Sequence, residues 1–250
     1  MGVMKTLVVL PTYNERENID GILERVLAHG LFDVLVVDDN STDGTKESVH
    51  AWAVRDSRVN VMDRPGKLGL GTAYIAGFKW GIGRGYQCMM EMDSDFSHNP
   101  DDLPRLRAKV EGGAGLVIGS RYIGGTINVV GWDFRRLLLS KFGNIYASTI
   151  LRMPYSDLTS GFRAFSAKAL SGINLDAVHS QGYSFQIEMA YYVWKLGLPV
   201  EETPIIFTER AEGSSKMSKN IVREAVKLPW KLRWMELTGS LRKMLPGGIK

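Results

Sequence analysis

The 250-residue sequence holds one cysteine, Cys88, so no internal disulfide can form and nothing calls for an oxidising compartment. Cys88 lies in the apolar run Tyr86-Gln-Cys-Met-Met90, where a buried strand thiol is expected. The four histidines, at 29, 50, 98 and 179, show no zinc-ligand spacing. They are expected to be solvated or satisfied. No nucleophile elbow of the Gly-x-Ser-x-Gly type is present. No Gly-x-Gly-x-x-Gly follows the first apolar strand either. Pro11-Thr-Tyr-Asn-Glu15 stands there instead, which argues against a nicotinamide or flavin dinucleotide domain. No apolar run reaches the roughly 18 residues of a spanning helix. Lys5-Thr-Leu-Val-Val-Leu10 reads as a first core strand rather than a secretory signal. Acidic residues are scarce in one place only. Residues 216–250 carry nine Lys/Arg against Glu224 and Glu236, so the net charge of +4 is a property of the C-terminal segment.

What is present is an alternation of two periods over the first 120 residues. Leu7–Leu10, Val34–Val37, Val59–Val61, Cys88–Met90 and Leu116–Ile118 are short apolar runs. Helical stretches lie between them, at about 15–29, 42–54, 70–82 and 100–111. Buried strands alternating with helices imply an α/β fold, a mostly parallel sheet with helices on both faces. Thr42 and Asp43 are expected to cap the second helix, and Asn99-Pro100 to start the fourth. Beyond residue 121 a loop, a helix from Arg135 to Leu151, a helix near 183–196 and a strand near 199–207 are expected.

In such sheets ligands bind beyond the carboxyl ends of the strands. Five successive strand ends are polar: Thr12-Tyr-Asn-Glu15, Asp38-Asp39, Arg64-Pro-Gly-Lys67, Asp93-Ser-Asp95 and Ser120-Arg121. Together they read as the rim of one pocket. Asp93 and Asp95 are the chemical centre. Alternate residues on extended backbone point the same way, so both carboxylates can face one hard cation. Mg²⁺ or Mn²⁺ suits such oxygen ligands and neutralises a departing diphosphate. Asp39 can accept hydrogen bonds from a ribose or base edge, or serve with Asp38 as a helix-capping pair. Arg121, Arg135, Arg136, Arg163, Arg210 and Lys216 are candidates for an anion cluster, because a guanidinium fork matches phosphate. Glu188, inside Phe185-Gln-Ile-Glu-Met189, reads as a buried structural partner.

Pro11-Thr-Tyr-Asn-Glu15, Val36-Val-Asp-Asp-Asn-Ser-Thr-Asp-Gly44, Lys67-Leu-Gly-Leu-Gly71, Asp93-Ser-Asp95, Gly119-Ser-Arg-Tyr122 and Thr159-Ser-Gly-Phe-Arg163 resemble the inverting family-2 glycosyltransferases. The pattern is similar to that of polyprenol (dolichol) monophosphate mannose synthases, from residue 5 to about 216. The resemblance implies a GT-A fold over residues 1–216. It implies Pro11, Tyr13, Glu15, Val37, Asp39, Lys67 and Ser94 around a nucleotide sugar, with Asp93 and Asp95 on the metal. It places Arg121, Arg210 and Lys216 near sugar, diphosphate or acceptor phosphate. Asp95, Arg121 and Asp157 are the expected catalytic residues, Asp157 as a second carboxylate orienting acceptor or sugar, with loop ordering as its alternative. Some relatives carry a glutamine metal ligand two residues after the second aspartate; Ser97 stands there here, and water is expected to fill the position.

The implied reaction moves mannose from GDP-mannose to a polyprenyl phosphate. Alternatives are a glucosyltransferase using UDP-glucose and a non-catalytic nucleotide-sugar-binding subunit. A phosphomonoester acceptor is mostly dianionic near neutral pH, since its second pKa is about 6, so it needs no general base. Residues 217–250 form the basic segment. Lys219, Arg223, Lys227 and Lys231 recur every four residues, opposite Ile221, Ala225, Leu228, Leu232 and Met235, with Trp230 and Trp234 among them. A helix over 217–243, kinked at Pro229, would suit an anionic membrane surface through 217–245. The alternative is packing on the catalytic domain or a partner chain. The sequence thus points to a cytoplasmic protein, peripheral on the cytosolic membrane face, with a possible membrane subunit, and the acidic pocket rim disfavours nucleic acid.

Overall fold

A computed structural model describes residues 3–209 and 219–249, with side chains from 223 onward in the second stretch. Seven strands form the main sheet in the order β3-β2-β1-β4-β7-β5-β8. The first four are β1 (Thr6–Thr12), β2 (Asp33–Asp38), β3 (Val59–Asp63) and β4 (Cys88–Glu91), all parallel. Their apolar runs are continuous because both faces are covered. Leu7 to Leu10 and Val34 to Val37 are all fully buried, alternate residues feeding two separate core clusters. Helices α1 (Arg16–Ala28), α2 (Thr45–Arg55), α3 (Leu70–Gly83) and α4 (Leu103–Glu111) connect these strands. Asn99 caps the turn before α4, with Pro100 at its first position. Asp43, rather than Thr42, accepts the Thr45 amide at the start of α2.

The second half departs from simple alternation. β5 (Leu116–Ser120) pairs parallel with β8 (Val200–Pro204). Between β4 and β5 lies β7 (Arg163–Ser166), antiparallel to both and absent from the sequence expectation. The single strand expected near 199–207 is two. β8 stops at Pro204, which cannot donate to a ladder. β9 (Phe207–Thr208) leaves the main sheet and pairs with β6 (Val129–Val130). Helix α5 (Phe134–Leu151) is capped by Asp133, which accepts the Arg136 amide at 2.9 Å. A short α6 (Ala167–Ser171) precedes α7 (Gly182–Lys195).

The C-terminal helix α8 spans Lys219–Leu237 with Pro229 inside it, and ends short of the expected residue 243. Gly239, at φ 74°, turns the chain into a 3₁₀ segment, Ser240–Lys243. α8 packs on α5 and α7, and its Leu228 and Leu232 enter the larger core cluster with Leu241 and Leu245.

The strand order places β2 and β3 on one side of β1 and β4 on the other. The β1/β4 seam is therefore a topological switch point, where a crevice opens beyond the carboxyl ends.

Candidate active site

A cavity of about 400 Å³ occupies that crevice. Pro11, Tyr13, Glu15, Asp39, Lys67, Asp93, Ser94, Asp95 and Arg121 all line it. The polar strand ends thus converge because the parallel strands end at one edge. Val37 does not line it. Its side chain is fully buried in the sheet core with Leu7, Val9 and Leu35. On a strand covered on both faces, only the last residues and those past its end reach the crevice. Arg210 and Lys216 lie outside the described residues.

The wall formed by the β1 and β2 ends divides labour between adjacent aspartates. Asp38 is fully buried and accepts from Thr12 Oγ1 (2.9 Å), Ser41 Oγ (2.6 Å) and the Ser41 amide (2.8 Å). It ties β1 to the loop after β2. Asp39 instead faces the cavity, with Oδ1 2.5 Å from Arg64 Nε. Arg64 is itself buried and also donates to Thr72 Oγ1 at 2.7 Å. Above them the half-exposed Tyr13 ring carries the Lys67 ammonium 4.3 Å from its centroid. Tyr13 offers a ring face and Asp39 a hydrogen-bond acceptor to the same cavity.

The Asp93-Ser-Asp95 turn is fixed by backbone contacts. Ser94 Oγ donates to Pro11 O at 3.0 Å, joining the β4 end to the β1 end. Asp95 Oδ1 accepts the Ser97 amide at 2.9 Å. The Asp93 amide donates to His98 Nδ1 at 3.2 Å, and the buried His98 ring stacks on Phe162 at 5.0 Å. His98 is thus a satisfied histidine within the cavity wall, which its isolated position in sequence does not reveal. Two carboxylates from one strand end, open to a cavity, fit Mg²⁺ or Mn²⁺, which keep waters and take further ligands from substrate phosphates. Among the described residues no group of three acidic, histidine or cysteine side chains could hold a metal. The buried Ser97 hydroxyl on the same wall has no hydrogen-bond partner among them, leaving it able to hold a water there.

At the far end stands Arg121, 4% exposed. Asp157 does not join it on the wall, contrary to the expectation of a second active-site carboxylate. Asp157 is fully buried behind Arg121 and both its oxygens are engaged. Oδ2 accepts the Arg121 amide (2.9 Å) and Nε (2.7 Å), while Oδ1 accepts Nη2 (2.6 Å). Burial by itself would raise the Asp157 pKa, but the Arg121 charge overrides it and holds the carboxyl below its usual range. Burial likewise opposes the Arg121 charge, and Asp157 more than restores it. Asp157 therefore orients the guanidinium and is not placed to touch substrate.

The candidate cations separate in the same way. Arg136 lines the cavity, pairs with Glu209 and lies 4.4 Å over the Trp132 ring, whereas Arg135 is exposed and does not line it. Arg163 leaves the anion cluster. It is fully buried, donating to the carbonyls of Leu158 (2.7 Å), Ser160 (2.7 Å) and Gln186 (2.6 Å), and burial pushes its pKa down to about 10. Glu188 is buried and accepts from Tyr192 OH at 2.6 Å, as a structural partner should. Thr159, which opens the Thr159–Arg163 motif, lines the cavity too, as do Trp132, Gln186, Phe207 and Glu209, which carried no motif signal.

Residues 7–173 match the family model described as glycosyl transferase family 2. The chain belongs to this family. It is a glycosyltransferase with a GT-A fold. A polyprenol monophosphomannose synthase of Mycolicibacterium smegmatis is 49% identical over 89% of this chain and 84% of its own. An undecaprenyl-phosphate mannosyltransferase of Micrococcus luteus is 46% identical over 89% and 91%. Among solved structures, the glucosyl-3-phosphoglycerate synthase of Mycobacterium tuberculosis, in complex with Mn²⁺, UDP-glucose and phosphoglyceric acid, has a TM-score of 0.67 at 20% identity. That alignment covers 94% of this chain and 80% of the other, and it shares the fold.

Proposed function

We propose that this glycosyltransferase moves mannose from GDP-mannose to a polyprenyl monophosphate, inverting the anomeric carbon, with Mg²⁺ or Mn²⁺ as cofactor. One observation carries the reading. A single cavity joins a nucleoside-type wall (Tyr13, Asp39) to a paired carboxylate (Asp93, Asp95) and a buried guanidinium (Arg121). It does so in a chain nearly half identical to two polyprenyl-phosphate mannosyl enzymes. Asp93 and Asp95 would hold the ion, and a divalent ion there supplies charge neutralisation for the departing diphosphate. Tyr13, Asp39 and Lys67 position the nucleotide, while Arg121 and Arg136 present donors to phosphate oxygens. Arg210 and Lys216 are proposed to add to them. Asp157 is committed to Arg121 and is not free to act as a base, which suits an acceptor that arrives already ionised.

A donor panel tests this directly. Purified protein with Mg²⁺ and a short polyprenyl phosphate is expected to turn over GDP-mannose, to stop in EDTA, and to recover with Mg²⁺ or Mn²⁺. Turnover with UDP-glucose alone would refute the mannose assignment. Nucleotide binding without turnover of any donor would favour a non-catalytic subunit.

A lipid acceptor requires the cavity to sit at a membrane. No helix among the described residues is long and apolar enough to cross one. Two adjacent helices instead share an exposed apolar face. On α5 it comprises Phe134, Leu138, Phe142 and Ile145; on α8 it comprises Val226, Trp230, Trp234 and Leu237. Each set follows the i, i+4, i+8, i+11 spacing of one helix face. Tyr146 joins the two helices, donating to Val226 O and accepting from Trp230 Nε1, both at 2.9 Å. Arg223, Lys227 and Lys231 are exposed on α8. We read this face, within the segment 217–250 and on α5, as the contact with the cytosolic surface of an anionic membrane, directly or beside a membrane subunit. Trp230→Ser with Trp234→Ser, and separately Phe134→Ser with Phe142→Ser, are each expected to abolish most co-sedimentation with phosphatidylglycerol vesicles. Undiminished binding by both variants would rule the face out.

A further inference from the structure

Gln186 lies on α7 at the cavity wall, 2% exposed. The residue is held at its side chain and at its backbone. Nε2 donates to Glu91 Oε2 at 2.7 Å, and the fully buried Arg163 clamps its backbone carbonyl at 2.6 Å. Glu91 closes β4, two residues before Asp93, and is itself fully buried. Glu91 Oε2 accepts from Nε2, so the amide stands with its nitrogen turned to Glu91. The carbonyl oxygen Oε1 is then left buried, with no hydrogen-bond partner among the described residues.

A buried acceptor without a partner costs stability that an apolar side chain of the same shape would not. The position is explained if a ligand brings the missing donor. An amide carbonyl can only accept, which excludes ionised diphosphate and acceptor-phosphate oxygens. The nucleoside wall, with Tyr13 and Asp39, is built from the β1 and β2 ends. Gln186 instead neighbours Gly161 and, across it, His98. A Cβ on Gly161 would stand 3.7 Å from Gln186 Nε2 and 3.9 Å from His98 Cε1. Glu91 and Arg163, which hold Gln186, pair across β4 and β7, on the side of β4 away from β1 and β2. Gln186 therefore lies on the other side of the β4 end from the nucleoside wall. What remains to donate there is the hydroxyl set of the transferred sugar.

We infer that Gln186 Oε1 accepts a hydrogen bond from one hydroxyl of the donor hexose, making Gln186 a specificity-determining residue preset by Glu91 and Arg163. The inference rests on the donor chemistry proposed above. A site that hydrogen-bonds a substrate hydroxyl discriminates strongly against the analogue that lacks it.

The experiment compares wild type with Gln186→Leu on GDP-mannose and on its 2-, 3-, 4- and 6-deoxy analogues, in the presence of Mg²⁺ and a short polyprenyl phosphate. One deoxy donor is expected to lose about ten-fold or more in kcat/KM with wild type. The variant is expected to lose a similar factor on GDP-mannose and nothing further on that one deoxy donor. Affinity for sugar-free GDP is expected to be the same in both proteins, which a merely structural role would not give. A variant equal to wild type on GDP-mannose, or one that loses the same factor on every donor, overturns the inference. If Gln186→Leu does not fold, Gln186→Met takes its place. A flat deoxy series with wild type alone is also sufficient to overturn the role. If another nucleotide hexose proves to be the donor, the mannose reading fails, while the deoxy series of that hexose still decides Gln186.

Discussion

Asp95→Ala is expected to lower transfer roughly 10²–10³-fold, the loss seen when one preorganised group that stabilises transition-state charge is removed. The cavity explains why the loss should be chemical rather than structural. Asp95 accepts the Ser97 amide and sits past the end of β4 rather than in its ladder. Loss of that bond costs on the order of 1 kcal/mol, a shift of about 2–4 °C in a domain of this size. Mn²⁺ binding in the presence of GDP should weaken in parallel with kcat/KM, because this carboxylate and Asp93 would hold the ion in the proposed site. Steady-state transfer, a thermal melt and Mn²⁺ titration are read on the same preparation. If Asp95→Ala transfers within a few-fold of wild type, neither the metal role nor the centre of the proposed site survives.

How much of this was legible beforehand depends on the distance over which each residue acts. The strand ends could be read because a parallel strand buried on both faces writes itself as an unbroken apolar run, and the polar residues that follow it lie at or just past its end. Asp39, Asp93 and Asp95 are such residues. β7 could not be read. It is four residues long and opens with Arg163, a residue that ordinarily marks surface, yet here the guanidinium is fully buried on three carbonyls. Gln186 hides for a related reason. It stands inside the apolar run Phe185-Gln-Ile-Glu-Met189 of a buried helix, and its partner Glu91 is 95 residues away. The basic stripe of the last helix was plain in sequence. The α5 face beside it was not, because Phe134, Leu138, Phe142 and Ile145 look like the core-facing side of an ordinary helix until the fold leaves them outside. Val37 shows the converse error: a residue adjacent to a site motif but two positions too early to leave the sheet.

The Arg121–Asp157 pair separates stability from catalysis. Asp157→Ala leaves a guanidinium that is 4% exposed without its counter-charge. Breaking a buried pair from one side costs about 3–5 kcal/mol. At about 2–4 °C per kcal/mol the melting temperature should fall by roughly 6–20 °C. Transfer should fall as well, since Arg121 loses the partners of Nε and Nη2 that aim it at the cavity, the Thr159 hydroxyl at 2.8 Å excepted. Arg121→Met with Asp157→Leu removes both charges together, and replacing a buried pair by apolar groups is often neutral or better. The double variant should therefore recover much of the lost stability and none of the lost transfer. The pH dependence has a definite sign. The Asp157 pKa is lower in the folded protein than in the unfolded chain. Its contribution is therefore fully present above the ordinary carboxylate pKa of about 3.9 and is lost as pH falls through the folded value. The stability gap between wild type and Asp157→Ala should be constant from pH 5 to 8 and narrow only in more acidic solution. A gap that closes near neutrality would mean that Asp157 is protonated there, and that the guanidinium facing the cavity is positioned by something other than this ion pair.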